Sequence, residues 1–369
     1  MNVVQRNFLR LLSAGTFGTD DVIEAMSPFK WRQLFRLASL HDVTPMVFDG
    51  IERLKSQFHV SLPADLYEQW RKAVVEVERD NERKNEIITT VFSAMAAIRT
   101  CPVLINGQNL AQFYPTASHR AEGSVDLYIP DEKQAHQAAD WMDEHSMSHD
   151  DTDSNVTRYV FDGIAVNFHW TMRHLTNPVL NRRLQSIINK EMRCRDSYYL
   201  TVNGMRIEGV PPTLNLLMII TGITQHILSD GISLKLFVDL GMFLRRIGDK
   251  VDYVQLQSQL KKLGMQTMAN IIGGIMIDVF RFDADELPFM TKVSKKADGK
   301  AIGDMFTVNG NTSADWYFTQ GNHIFIRANN SSAMRWQIRH SAKLMRYYPG
   351  ETFTNFFVSF AHSLSHIEE

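Results

Sequence analysis

The spacing of apolar residues changes twice along the chain, and each change limits what the segment can become. Over residues 7–54 the spacing is helical, with Phe8, Leu11 and Leu12 first and then Trp31, Leu34, Phe35 and Leu37, which predicts short helices packed on each other. Residues 66–99 contain neither Gly nor Pro and are dense in charge (Glu76, Glu78, Arg79, Asp80, Glu82, Arg83, Lys84), the pattern of a long helix with a solvated face. At Cys101-Pro102 the pattern shortens. Val103-Leu104-Ile105 closes at Asn106-Gly107, residues 125–129 form a second apolar run, and residues 159–161 and 164–170 flank Asp162-Gly163, a two-residue hairpin signal. Between them residues 132–144 return to helical spacing, and residues 196–210 carry a second hairpin signal at Asn203-Gly204.

After Pro211-Pro212 the helical period resumes, predicting helices over 214–228, 234–247, 253–263 and 268–280. Residues 283–330 are rich in Gly, Asn and Asp and read as irregular; residues 331–347 read as a last amphipathic helix, followed by an aromatic tail (Phe353, Phe356, Phe357, Phe360). The expected fold is α+β: a small mixed sheet over 100–210, enclosed by an N-terminal helical region (1–99) and a helical bundle (211–282), with 283–369 as the remainder.

Composition narrows the function. Hydrophobic residues make up 44% and charged residues 22% of the 369 positions, which excludes a disordered or low-complexity chain. A net charge of −2 provides no global positive field, so nucleic acid and anionic lipid are not expected partners. The two cysteines, Cys101 and Cys194, match no metal or disulfide spacing and read as reduced, buried thiols. The most apolar run, 214–223, is shorter than the ~18 residues of a membrane span, and residues 1–15 lack a leader pattern. A cytoplasmic location without membrane contact is expected, and the oligomeric state stays open.

Strand parity is the most informative local feature. Residues two apart share a face, so Val125, Leu127 and Ile129 point one way while Ser124, Asp126 and Tyr128 point the other. The same arithmetic puts Ile164, Val166 and Phe168 inward and Ala165, Asn167 and His169 outward. Two strands with polar faces can therefore lie side by side.

A resemblance rests on these segments. Val103-Leu104-Ile105-Asn106-Gly107-Gln108-Asn109-Leu110, then Tyr114-Pro115, Arg120 and Gly123-Ser124-Val125-Asp126-Leu127-Tyr128-Ile129, resembles the opening of the nucleotidyltransferase fold. More narrowly it is similar to a bacterial nucleotidyltransferase family whose pattern is a strand ending in Lys-Gly, then Arg, then Gly-Asp-Ile-Asp-Leu, then a strand ending in Glu-x-His-Trp. Asn167-Phe168-His169-Trp170 fits the last element. The stretch from His226 to Lys235, continuing to Val238-Asp239-Leu240, is similar to the family's helical region, and Leu40-His41-Asp42-Val43-Thr44-Pro45 fits its early helices. The resemblance covers residues 7–280.

That fold implies two-metal transfer of a nucleotidyl group from an NTP, with Asp-x-Asp on one strand and a third acid on its neighbour holding the ions. Here Ser124 stands at the first acidic position and Asn167 at the third, leaving Asp126 as the one metal candidate. One carboxylate leaves the repulsion between two divalent ions uncompensated, although a single weakly held Mg²⁺ can rest on one carboxylate plus substrate phosphates. Glu122 shares parity with Asp126 and is a relocated acid if the chain bends at Gly123; fully extended it lies about 13 Å away. The resemblance implies a catalytic set of Asp126, Ser124 and Asn167 and a phosphate-binding set of Asn106, Gly107, Arg120 and Gly123. The leading reading is a nucleotidyltransferase-like protein with a degenerate metal site that retains nucleotide or phosphate binding. An active Mg-dependent transferase with an unknown acceptor and a scaffold that binds no nucleotide are the alternatives.

Each residue also has a plainer reading. Asp126 is otherwise a solvated residue or a helix cap, Gly107 an ordinary strand-to-helix turn and Arg120 a surface residue. His145, His149, Asp150, Asp151 and Asp153 have the composition of a solvated loop. His169 is either a base or a hydrogen-bonded structural residue, and His226 with Asp239 reads as support for the site or a buried polar pair. Arg335, Arg339, Lys343 and Arg346 form one basic stripe beside Trp336, suited to phosphate, RNA or an acidic partner, or simply a solvated face.

Overall fold

The computed structural model describes residues 2–121, 123–153, 155–193, 198–228, 233–292, 345 and 347–354. Glu122, Cys194, Arg335, Trp336, Arg339, Lys343, Arg346, Phe356, Phe357 and Phe360 lie outside the described residues. The chain divides into two compact units, the first made of Met1–Met172, Ile188–Leu216 and Phe237–Val251, the second of Arg173–Ile187, Leu217–Leu236 and Asp252–Glu369.

The first unit begins with α1 (Val3–Phe17), α2 (Pro28–Leu40), α3 (Thr44–Leu54) and the 34-residue α4 (Ala64–Ala97). Asn2 and Gln5 close a reciprocal capping box on α1, and a proline in the first turn starts both α2 and α3. On α4 the buried stripe runs Leu66, Trp70, Val74, Asn81, Lys84, Ile88, Val91, Phe92 and Met95. The charged run is therefore only partly a solvated face: Asn81 and Lys84 occupy core-facing positions of an otherwise apolar stripe.

The sheet lies wholly in this unit. Its strands are β1 (Val103–Ile105), β2 (Val125–Tyr128), β3 (Ser148–Asp153), β4 (Val156–Phe161), β5 (Ile164–His169), β6 (Tyr198–Val202) and β7 (Met205–Gly209), in the order β3-β4-β5-β2-β1-β7-β6. β2 pairs with β5 and β1 with β7 in parallel, and the other neighbours are antiparallel. This mixed sheet with flanking helices is the expected α+β architecture. Asp162-Gly163 and Asn203-Gly204 turn both hairpins with φ between 48° and 77°, the left-handed backbone that a tight two-residue turn requires. The helices α5 (Asn106–Ala111) and α6 (Glu132–His145) follow β1 and β2.

Two expectations fail here. Residues 148–153 form an edge strand paired with β4 instead of a solvated loop; cross-strand hydrogen bonding overrides local composition, and charge is what an edge strand tolerates. Cys101 is exposed, because it sits in the turn between α4 and β1 and not in either element.

The remaining helices are α7 (Pro178–Arg193), α8 (Pro212–Leu228), α9 (Leu234–Ile247), α10 (Tyr253–Lys262) and α11 (Gln266–Phe280). In the second unit the buried Glu351 accepts the backbone N–H groups of Thr176 and Asn177 just ahead of α7, satisfying donors that a helix start leaves open. The Tyr348 hydroxyl donates to the Leu263 carbonyl at 3.0 Å. Among the described residues no helix is long and apolar enough to cross a membrane.

A close helix contact joins α1 and α3. A Cβ on Gly15 would lie 1.8 Å from the Met46 carbonyl oxygen, and one on Gly50 would lie 1.9 Å from that of Leu11, so the two backbones touch where only hydrogen fits. Gly→Ala in an open helix stabilises by roughly 0.5–1 kcal/mol. Here the sign should reverse, with Gly50→Ala costing about 1–3 kcal/mol through overpacking, as measured by urea unfolding; an unchanged or raised midpoint would refute the contact.

Candidate functional site

The parallel pairing of β2 with β5 sets the site. In the cross-strand register Asp126 lies beside Asn167 and Tyr128 beside His169, while β4 places Arg158 beside Asn167 and Val156 beside His169. Laterally paired residues share a face, so Arg158, Asn167 and Asp126 form one row across three strands, with His169 in the next. Ile164, Val166 and Phe168 are buried on the opposite face.

Within this row one oxygen is heavily used. Asp126 Oδ1 accepts from His169 Nε2 at 2.7 Å, Asn167 Nδ2 at 3.1 Å and Ser124 Oγ at 3.3 Å. Asn167 Nδ2 also donates to Ser124 Oγ at 2.6 Å. Asp126 is 7% exposed, so these donors take over the role of water for a buried carboxylate. Because the acceptor is a carboxylate, Nε2 is the ring nitrogen that donates, which fixes the imidazole's orientation.

Among the described residues this donor set does not fit a two-metal centre. Two divalent ions about 3.5–4 Å apart need several bridging anionic oxygens, whereas the groups converging on Asp126 are an amide N–H, an imidazole N–H and a hydroxyl. Among the described residues no group of three or more His, Cys, Asp or Glu side chains is placed to hold a metal ion.

Above the row opens a cleft of about 550 Å³, lined by Asp80, Lys84, Gly123, Ser124, Val156, Arg158, Gly163, Ile164, Ala165, Asn167 and His169. Its size is that of a small-molecule site. Lys84 reaches it from α4, with its side chain 8% exposed and ion-paired to Asp80 one turn earlier, which is 47% exposed.

A second polar network holds the segment that leads into β2. Arg120 binds Asp239 of α9 through Nε at 2.8 Å and Nη2 at 2.9 Å, and the Tyr114 hydroxyl donates to the same carboxylate at 2.7 Å. Burial opposes the Arg120 charge, but the Asp239 carboxylate outweighs it and holds the guanidinium above its ordinary pKa, with Asp126 adding to the effect. Burial and then the Asp239 charge keep the Tyr114 phenol protonated well above its usual range. Arg120 Nη1 stands where Gly107 and Gly123 approach each other: a Cβ on either would lie 3.3 or 3.5 Å from it, and Gly123 adopts φ +143°. From α4, Asn81 donates to the carbonyls of Ser118 at 2.8 Å and Arg120 at 3.0 Å and accepts from Gln108 Nε2 at 2.6 Å.

A family described as "Uncharacterised nucleotidyltransferase" matches residues 27–278, more than half of the chain. The chain belongs to this nucleotidyltransferase family. No curated protein and no solved structure matches it.

For this nucleotidyltransferase-family chain, the sequence-derived positions sort as follows. Ser124, Asp126 and Asn167 converge, as strand parity requires. Of Asn106, Gly107, Arg120 and Gly123, Gly123 lines the cleft, Gly107 and Arg120 are buried and Asn106 is half-buried. Arg120 is thus no surface residue, because its guanidinium is committed to Asp239. His226 is exposed and so is not a buried residue, whereas Asp239, 1% exposed, binds Arg120 and Tyr114. Lys84, Asp80 and Arg158 had no place in the sequence-derived site. The available signal was the gap in the α4 stripe between Val74 and Ile88, where Asn81 and Lys84 stand at core spacing.

The segment before Arg120 is pinned by His119, whose Nδ1 lies 2.7 Å from Asp49 Oδ2 and whose Nε2 lies 3.0 Å from Glu78 Oε1. Partial burial opposes the imidazolium, but hydrogen bonds and charge from Asp49 and then Glu78 outweigh it and raise the pKa. A raised folded-state pKa contributes stability that is complete below the unfolded value and fades as pH rises through the folded one. Thermal melts of the natural protein and His119→Gln should therefore differ more at acidic than at alkaline pH, and a difference that grows with pH would contradict this assignment.

Proposed function

We propose that this chain is a nucleotidyltransferase-like protein that receives a nucleoside triphosphate in the cleft above β2 and β5 without a two-metal centre. The observation that carries the reading is the commitment of Asp126 Oδ1 to three donors of the protein itself. Where a metal-dependent enzyme needs converging acids, Ser124, Asn167 and His169 donate hydrogen bonds to the remaining one. The family membership supports a nucleotide as the ligand class, and the cleft's size and polar lining suit one. The residues of this chain bind and orient; Mg²⁺, where present, arrives on the ligand's phosphates.

Calorimetry with ATP, GTP, CTP and UTP tests the ligand class, with heat expected for at least one. Absence of heat for all four would favour a scaffold that binds no nucleotide, and Mg-dependent NTP turnover abolished by Asp126→Asn would establish an active transferase.

Restoring the acids tests the site. Ser124→Asp combined with Asn167→Glu replaces two neighbours of Asp126 by carboxylates whose repulsion only cations relieve. Ligand at one hundred times its dissociation constant stabilises by about 2.7 kcal/mol. Mn²⁺ should therefore raise the melting temperature of the double variant by a few degrees and leave the natural protein nearly unmoved. Equal shifts would mean that other ligands already hold metal; no shift in either would mean that the three positions cannot form a metal site.

A further inference from the structure

The ion pair between Lys84 and Asp80 is asymmetric. The lysine side chain is 8% exposed and the aspartate 47%, and both line the cleft together with Arg158, Ser124 and Asn167. A buried ammonium is costly without an anion beside it. A half-exposed carboxylate gives up little when it returns to water. Lys84 therefore needs an anionic partner more than Asp80 needs Lys84, and the cleft is where another anion can enter. Arg158 stands on the cleft face in the same cross-strand row as Asn167, with a guanidinium suited to two-point contact with phosphate oxygens. As the chain stands, Asp80 offsets the charge of Lys84, so a phosphate gains the full attraction of Lys84 only by taking the place of Asp80.

We propose that the cleft contains a metal-independent phosphate subsite in which Lys84 and Arg158 hold the phosphate of the ligand, and Asp80 is the internal stand-in that this phosphate displaces. The subsite rests on the reading of the cleft as a nucleotide site and adds to it how the polyphosphate is held where the acids for metal are missing. Two fixed cations take the place of divalent ions, and the carboxylate one turn away on α4 keeps Lys84 paired until a ligand arrives.

Titration calorimetry with inorganic tripolyphosphate and with the four NTPs, each in EDTA and in Mg²⁺, tests this on the full chain. Tripolyphosphate and an NTP should bind in EDTA. Arg158→Met and Lys84→Met should each weaken binding by about tenfold or more, the scale of a lost charge-assisted hydrogen bond. Asp80→Asn should strengthen binding several-fold, because the competing carboxylate is gone, and should lower the melting temperature of the free protein in a way that tripolyphosphate reverses. If Lys84→Met does not fold, Asp80→Asn and Arg158→Met, at less buried positions, still decide the matter. Binding that requires Mg²⁺, or that Asp80→Asn leaves unchanged or weaker, overturns the subsite while the nucleotide-site reading stands. Absence of binding for every ligand in both buffers overturns both.

Discussion

A carboxylate that is 7% exposed must find its hydrogen bonds inside the protein, and the way Asp126 finds them organises the rest of this site. Its neighbours on β5 are presented by a parallel register that cannot slip by one residue without turning Phe168 and Val166 out of the core. Core packing on one face of the sheet thereby fixes which polar groups meet on the other. Among the described residues the result is one acceptor among three donors, with fewer anionic oxygens than two cations need.

The scaffold around the row is itself polar and buried, which makes it specific in geometry. The Arg120–Asp239 pair is buried on both sides. Such pairs are a weak source of net stability but are expensive to break, because a lone buried charge remains. Together with Asn81 of α4, which donates to the Arg120 carbonyl and accepts from Gln108 of α5, the pair sets where Gly123 and Ser124 enter the cleft. The long α4 serves twice, with Asn81 toward this scaffold and Lys84 toward the cleft, three residues apart on one face.

Much of this was legible in the sequence where a short-range rule governs. Parity placed Ser124, Asp126, Asn167 and His169 on one face, Asp162-Gly163 and Asn203-Gly204 marked hairpins through their left-handed backbones, and the return to helical spacing after Pro212 located α8 through α11. Features set by distant partners were not legible. Residues 148–153 became a strand because β4 offers hydrogen bonds, and Arg120 became a core residue because Asp239, more than a hundred positions later, neutralises it. Lys84 was hidden because charge density says where a helix is polar and not which of its charges faces inward. The apolar stripe on either side of it carried that information.

The central proposal is that Asp126 is held by protein donors in place of metal, and Mn²⁺ is a direct probe because its unpaired electrons broaden nearby proton signals beyond detection. The measurement is the NMR signal of the Asn167 side-chain amide and of the His169 Nε2 proton as Mn²⁺ alone is titrated into the natural protein. The account predicts that both signals persist after the backbone amide signals beside exposed carboxylates elsewhere have begun to broaden. Their selective loss at the first additions of Mn²⁺ would place a metal at Asp126 and contradict it.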